Sequence, residues 1–376
     1  YGATPTIRKP GRRSGRPIAC ARSRSKLTPL TVSPLQYFAE PMTTLYVTEQ
    51  GAYLKVKNYQ FLVFYQHELR CQVPANRVTH IVLFGCCNLS HGAVSLALRR
   101  RIPVMYLSQK GRYFGRLGAS GEAKVEYLTR QAALAEDPAF AREQSEAIVR
   151  AKLHNSRVVL LRLSRGRRDD RTKAALKLLA TLIDDLPLAQ DLETLRGYEG
   201  KAATTYFQSL GGLVAASFGF EGRTKRPPKD PANSLMSLGY TLLSHNVHAF
   251  VEAIGLHPHF GTLHANYDSR PALVCDLMEE FRATVVDALV VYLLNSKIFT
   301  IEDFTPPDER GGVYLHQDAL RTFVKHWEER LQLRVTHTVT GLEVTYRRCI
   351  ELQVREYVAC LLGDVPVYRP MVWPVK

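Results

Sequence analysis

The sequence predicts an α+β multidomain chain in which a small N-terminal β-rich domain is followed by a larger all-α domain. Three observations carry this. Residues 44–117 alternate short aromatic and β-branched runs with turn residues. Beyond about residue 136 the apolar residues recur at helical spacing and strand signals almost vanish. The length, 376 residues, suits two domains. At 45% apolar and 23% charged residues the composition is that of ordinary globular proteins, which excludes a wholly disordered, fibrous or disulfide-stapled chain.

Residues 1–41 hold eight Lys or Arg, one acidic residue (Glu40) and six prolines, a net of +7 out of the chain's +15. Such a segment buries little and reads as a flexible basic arm or linker. Tyr1 is not a Met and Met42 opens the first regular segment, so the arm also reads as the remnant of a longer fusion. The β domain is expected over 42–125. Its strands are Leu45-Tyr46-Val47, Tyr53-Leu54-Lys55-Val56, Phe61 to Tyr65, Ile81 to Phe84 and Pro103 to Leu107, punctuated by Gly51, Asn58 and Pro74-Ala75-Asn76. A helix over 91–100 interrupts them, with Ser90 as its N-cap. Residues 126–135 are expected to be a linker, and 136–376 the helical domain. There Asp137-Pro138 starts a long helix carrying Phe140, Ile148, Leu153, Val159, Leu160 and Leu163 on its apolar side. Further helices are expected near 171–184, 188–211, 231–254, 271–294, 316–333 and 341–362, set apart by Pro187, Gly211-Gly212, Pro227-Pro228, Gly255, Pro306-Pro307 and Gly311-Gly312.

Fifty Lys and Arg against 35 Asp and Glu favour a polyanionic partner, nucleic acid or an anionic surface. Seven cysteines without a Cys-x-x-Cys pair argue against a zinc ribbon or a redox motif and for reduced thiols. No apolar run reaches the ~18 residues of a membrane span, and no signal-peptide h-region is visible. A soluble, intracellular protein with no membrane partner is the expectation.

Three segments of the helical domain stand out. In the first, Leu195 to Ala203, Glu199 follows Gly197 and precedes Gly200. Two glycines beside a Glu are poor helix material and imply either close backbone approach, access to the carboxylate, or simply a turn. In the second, Gly222 to Asn233, the cations Arg223, Lys225, Arg226 and Lys229 sit on a Pro-rich stretch before a helix, which suits phosphate contacts as well as a solvated loop. The third runs from Gly255 through His257, His259 and His264 to Arg282. Asp276 and Glu279 are three apart and share a helix face beside Leu273, Leu277 and Phe281. Carboxylate oxygens with one imidazole suit Mg²⁺ or Mn²⁺ better than a closed zinc site. A three-His zinc site of His257, His259 and His264 is a rival reading, and a core role for His264 a plainer one.

Taken in order, Arg196-Gly197-x-Glu199-Gly200, Gly222-Arg223-x-Lys225-Arg226-Pro227-Pro228-x-Asp230-Pro231-x-Asn233, Gly261-x-Leu263-His264 and Asp276 to Arg282 resemble the CRISPR-associated protein 1 family, the integrase and endonuclease of CRISPR spacer acquisition. The resemblance covers about residues 42–362. It implies catalysis by the helical domain, with a divalent metal, Mg²⁺ or Mn²⁺, held by Glu199, His264 and Glu279, and Asp276 as a supporting or alternative ligand. The family often has Asp at the last ligand position, where Glu279 has a longer reach, and often Asp where His257 stands. Arg196, Arg223, Lys225, Arg226 and Arg282 become candidates for DNA phosphate contacts. The resemblance further implies double-stranded DNA partners (protospacer and CRISPR repeat), a homodimer, the small CRISPR-associated protein 2, and a prokaryotic cytoplasm. Some relatives are fused behind a reverse transcriptase, and the basic arm fits such a fusion or association. Branched-DNA nuclease and non-catalytic nucleic-acid scaffold are the alternative functions.

Overall fold

The computed structural model describes residues 43–119, 124–166, 169–264 and 270–375. The basic arm lies outside the described residues, and the rest belongs to one compact unit of the chain. The N-terminal region holds two four-stranded sheets. In the first, β1 (Thr43–Val47), β5 (Val78–Phe84) and β7 (Val104–Leu107) run parallel, and β8 (Tyr113–Leu117) closes the edge antiparallel to β7. In the second, β2 (Tyr53–Lys57), β3 (Gln60–Tyr65) and β4 (Glu68–Pro74) form an antiparallel meander, with the short β6 (Asn88–Leu89) parallel to β2. Both hairpins turn through two residues at positive φ, Asn58-Tyr59 and Gln66-His67, the backbone twist that matches strand twist. Helix α1 (His91–Arg99) has the expected Ser90 cap, which accepts from Ala93 N at 3.1 Å.

Strand β5 shows how the sheets meet the helices. Its alternation sends Ile81 and Leu83 into a core shared by both sheets and α1, and Val82 and Phe84 into the helical core. Met105 and Leu107 of β7 join them there. The sheet is therefore covered on both faces, which is why β5 reads as a near-continuous apolar run.

The helical region is built on α3 (Pro138–Leu163), capped by Asp137. On it pack α4 (Asp170–Asp185), α5 (Leu192–Gly211) and α7 (Ala272–Phe281), while α6 (Pro231–Ile254) packs on α7, α8 (Ala288–Asn295) and α10 (Tyr346–Leu362), and α9 (Gln317–Gln332) on α10. Residues 126–135, expected as a linker, instead form α2 (Val125–Ala135). Buried Tyr127 and Gln131 fix it, and the Gln131 side chain both donates to the His257 carbonyl and accepts from its N–H. Two more expectations shift. The helix expected at 271–294 is broken by a π-helical segment, Arg282–Asp287. The start of the helix expected at 341–362 is instead β10 (Glu343–Thr345), paired with β9 (Arg334–Thr336). Among the described residues no helix is long and apolar enough to cross a membrane, and the described cysteines are free thiols.

Candidate active site

The three segments singled out in the sequence meet where α3, α5 and α7 pack together. Glu199 sits inside α5, not at a turn, and a Cβ at Gly197 or Gly200 would meet nothing within 4 Å. Close backbone approach is thus not the reason for these glycines. They bracket the carboxylate with bare backbone and leave Glu199 26% exposed.

On the facing helix Glu279 is 2% exposed. A carboxylate so buried persists only with counter-charge. Burial alone would raise its pKa; Arg282, then Lys152 and His264, overcome this and hold it down at about 2. Arg282 donates to Glu279 Oε1 at 2.8 Å, while its guanidinium lies 4.2 Å from the Tyr240 ring centroid. Tyr240 and Tyr206 both donate to Asp287 at the end of the π-helical segment, the latter at 2.9 Å, and burial raises Asp287. The π-helical break brings Arg282 and Asp287 to bear on the same tyrosine, in line with the frequent use of such breaks at functional sites.

His264 is aimed by Asp276. Its ring Nδ1 lies 2.6 Å from Asp276 Oδ1, and its backbone N–H donates to the same oxygen at 3.0 Å. Asp276 Oδ2 accepts from the N–H groups of Thr262 at 2.6 Å and Leu263 at 3.1 Å. A carboxylate on Nδ1 fixes the proton there and leaves the Nε2 lone pair available. That nitrogen faces Glu279 Oε1 at 3.8 Å. Asp276 thus orients His264 and its turn, as a supporting carboxylate would. The turn also requires Gly261, since a Cβ there would stand 2.6 Å from the Ala272 carbonyl carbon and 2.7 Å from Asp276 Oδ2.

Sequence reasoning missed Lys152. It lies on α3 with a 16% exposed side chain, and its Nζ is 2.7 Å from Glu279 Oε2 and in contact with Glu199 Oε1. Its signal was present, since Lys152 follows Ile148 by four on the stripe that is otherwise buried. Asn155, one turn on, was missed too. It donates to the carbonyls of Glu280 and Met371 and accepts from Trp373 N, tying the C-terminal segment behind α7. Glu280, pushed up to about 8 by burial, accepts from Tyr368, Gln353 and Met371 N on the same side.

The five candidate phosphate contacts divide. Lys225 and Arg226 are exposed. Partial desolvation of its ammonium, then the nearby cations Arg282, Arg223 and Lys152, lower the Lys225 pKa. Arg223 is turned inward, donating to Asn233 Oδ1 at 2.7 Å and Ser237 Oγ at 3.0 Å, so it braces the 222–230 loop. Arg282 is committed to Glu279. Arg196 is exposed but uses Nε to hold the Leu263 carbonyl at 2.8 Å. A cleft of about 580 Å³ is lined by Phe207, Gln208, Arg223, Thr224, Lys225 and Lys229.

Among the described residues no group of three or more His, Cys, Asp or Glu stands gathered at metal-binding distances. That holds for His257, His259 and His264, and equally for Glu199, His264 and Glu279, whose carboxylates here close on Lys152; His257 lies tilted against His259 and Phe260. At the carboxylates, an ammonium bridges Glu199 and Glu279 as a stand-in cation. Two carboxylates drawn to one positive charge, beside an imidazole with its Nε2 free, make a donor set that suits Mg²⁺ or Mn²⁺.

A family model described as CRISPR associated protein Cas1 matches residues 45–329. A CRISPR-associated endonuclease Cas1 of Thermus thermophilus is 34% identical over 328 residues, covering 87% of this chain and 96% of its own. Among solved structures, a Cas6-RT-Cas1–Cas2 complex matches with a TM-score of 0.75 at 25% identity, over 88% of this chain and 36% of that one. A casposase bound to an integration product matches with a TM-score of 0.79 at 22% identity, over 89% of this chain and 95% of that one, a likeness of fold.

Proposed function

The chain belongs to the Cas1 family of CRISPR-associated proteins, and we propose that it is a metal-dependent DNA endonuclease and integrase of CRISPR adaptation. The observation that carries this reading is the convergence of Glu199 and Glu279 on one cation beside the oriented His264. The Thermus relative is an endonuclease, which supports phosphodiester chemistry. The likeness in fold to a casposase bound to an integration product supports strand joining.

The reaction proposed is a transesterification. The 3′-hydroxyl oxygen of protospacer DNA bonds to a phosphorus of the CRISPR repeat, the repeat's own P–O3′ bond breaks, and a 3′-hydroxyl is left on the repeat. Glu199, Glu279 and His264 Nε2 would hold Mg²⁺ or Mn²⁺, which supplies Lewis acidity toward the hydroxyl and the attacked phosphate. Asp276 keeps the His264 proton on Nδ1. Arg282 keeps Glu279 ionised and in place. Lys225, Arg226 and the free part of Arg196 receive the DNA backbone, and Arg223 holds their loop. Double-stranded DNA, a second copy of this chain, the small protein Cas2 and a reverse transcriptase are the proposed partners. The Cas6-RT-Cas1–Cas2 assembly supports the last two.

The test is a strand-transfer assay with a short duplex, a repeat-bearing plasmid, Cas2, and Mn²⁺ or chelator. Joining is expected only with metal and free 3′-hydroxyls, to be lost in Glu199→Ala and His264→Ala, with DNA binding largely kept. Cleavage that ignores a 3′ block would turn the reading to a repair nuclease, and binding without metal-dependent chemistry to a scaffold.

A further inference from the structure

We propose that Lys152 is a built-in competitor at the cation site, which a divalent ion enters by displacing its ammonium. This rests on the metal reading above. Three observations support it. The Lys152 Nζ touches the two carboxylates assigned to the metal, at 2.7 Å from Glu279 Oε2 and in contact with Glu199 Oε1. It comes from α3, a different helix from either carboxylate, so the pairing reflects the tertiary packing of three elements and not local helix geometry. Lastly, the two cations on Glu279 differ in how they are held. Arg282 is fixed on Oε1 by a 2.8 Å hydrogen bond and by the Tyr240 ring. Lys152 is a single point charge on a flexible four-carbon stem, attached at this site through the carboxylates.

That asymmetry has a chemical purpose. Two carboxylates facing one another without a cation repel each other, and Glu279 has almost no water to screen it. The ammonium keeps the pair assembled, and its single charge leaves room for a doubly charged ion to outcompete it. The cost of displacing Lys152 sets a threshold on metal affinity. Arg282, which stays, keeps Glu279 from turning away when the ammonium leaves. Lys152 is in this sense a positioning residue, acting through the ligands.

The experiment is a Mn²⁺ titration of the full chain, reading free Mn²⁺ by electron paramagnetic resonance, for wild type, Lys152→Met and Lys152→Arg. Lys152→Met is expected to bind Mn²⁺ about tenfold tighter than wild type, within the ~10–100-fold range typical of groups that act on metal ligands. Lys152→Arg is expected to bind no tighter than wild type. Melting curves supply the second readout. Lys152→Met should melt below wild type in chelator and gain more than wild type on adding Mn²⁺. Should the Met variant fail to fold, Lys152→Gln keeps a polar stem without the charge and takes its place. Equal or weaker Mn²⁺ binding by the uncharged variant would overturn the proposal while leaving the metal reading intact. If neither wild type nor the uncharged variant binds Mn²⁺, the metal reading itself falls and the competitor with it.

Discussion

Asp276 accepts from three backbone N–H groups and faces the His264 ring, so its charge templates the turn and the ring together. Asp276→Asn would keep the size but put an amide donor or a weaker acceptor opposite Nδ1, releasing the tautomer. Mn²⁺ affinity is expected to fall about 10–100-fold, with a smaller effect on DNA binding; an unchanged Mn²⁺ titration would contradict the orienting role. At this scale the sequence was informative about acids and imidazoles and poor about cations. Glu199, Asp276 and Glu279 drew notice because a Glu among glycines and two acids on one helix face break local rules, whereas His264 read as a core residue until the family resemblance joined the three as ligands. Lys152 was passed over although it stands on an otherwise buried stripe, because lysine on a helix ordinarily lies along apolar surface with its head in water. The surroundings of the arginines were hidden for a related reason. Arg223 read as part of a basic loop and Arg282 as a further phosphate contact, and in the fold both guanidinium groups lie over the Tyr240 ring.

Gly261 shows how a turn serves the site. The 261–264 segment presses against the first turn of α7, and the turn's three N–H donors reach Asp276 only with bare backbone at that point. Gly261→Ala forces backbone against backbone and is expected to cost about 1–3 kcal/mol in urea unfolding, together with strand transfer. A variant of wild-type stability and activity would show that the segment gives way. Element positions in this region were legible from capping and breaking residues. Asp137, Asp191 and Asp230 all cap the helices that follow them, each accepting from backbone N–H groups. The π-helical break was not legible, since 283–294 is apolar nearly throughout and carries no period to slip. β4 escaped as well because its burial pattern is exposed over five of seven residues, leaving no apolar alternation to read.

Across the whole molecule, sheet and helices are joined through two cores that share strand β5, and buried imidazoles sit at the junction. His80 of β5 stands edge-on to His245 of α6 at 5.4 Å between centroids. Burial, helped by Arg347 of α10, lowers His80 to about 3; burial, His80 and Arg116 of β8 lower His245, and burial lowers His248 to about 3. The sign follows directly. The unfolded chain takes up these protons near pH 6.5 and the folded chain does not, so stability is full above that pH and is lost as pH falls toward 3. His80→Phe is expected to lose about 2 kcal/mol less than wild type between pH 7 and pH 5 in denaturant melts. Parallel losses would mean that His80 is protonated within the fold. The two-part architecture was readable from the change of period near residue 136. The junction was not, because β5 is apolar on both faces and a lone sequence does not say what covers each.

The central claim is that Glu199, Glu279 and His264 form one cation site with Asp276 behind it. A crystal soaked in Mn²⁺ and measured at the manganese absorption edge tests it most directly. The account predicts an anomalous peak bounded by a carboxylate oxygen of Glu199, one of Glu279, and His264 Nε2, with the Lys152 ammonium moved off both carboxylates. A peak on Asp276, or a Mn²⁺ bound elsewhere while Lys152 still bridges the two glutamates, would contradict it.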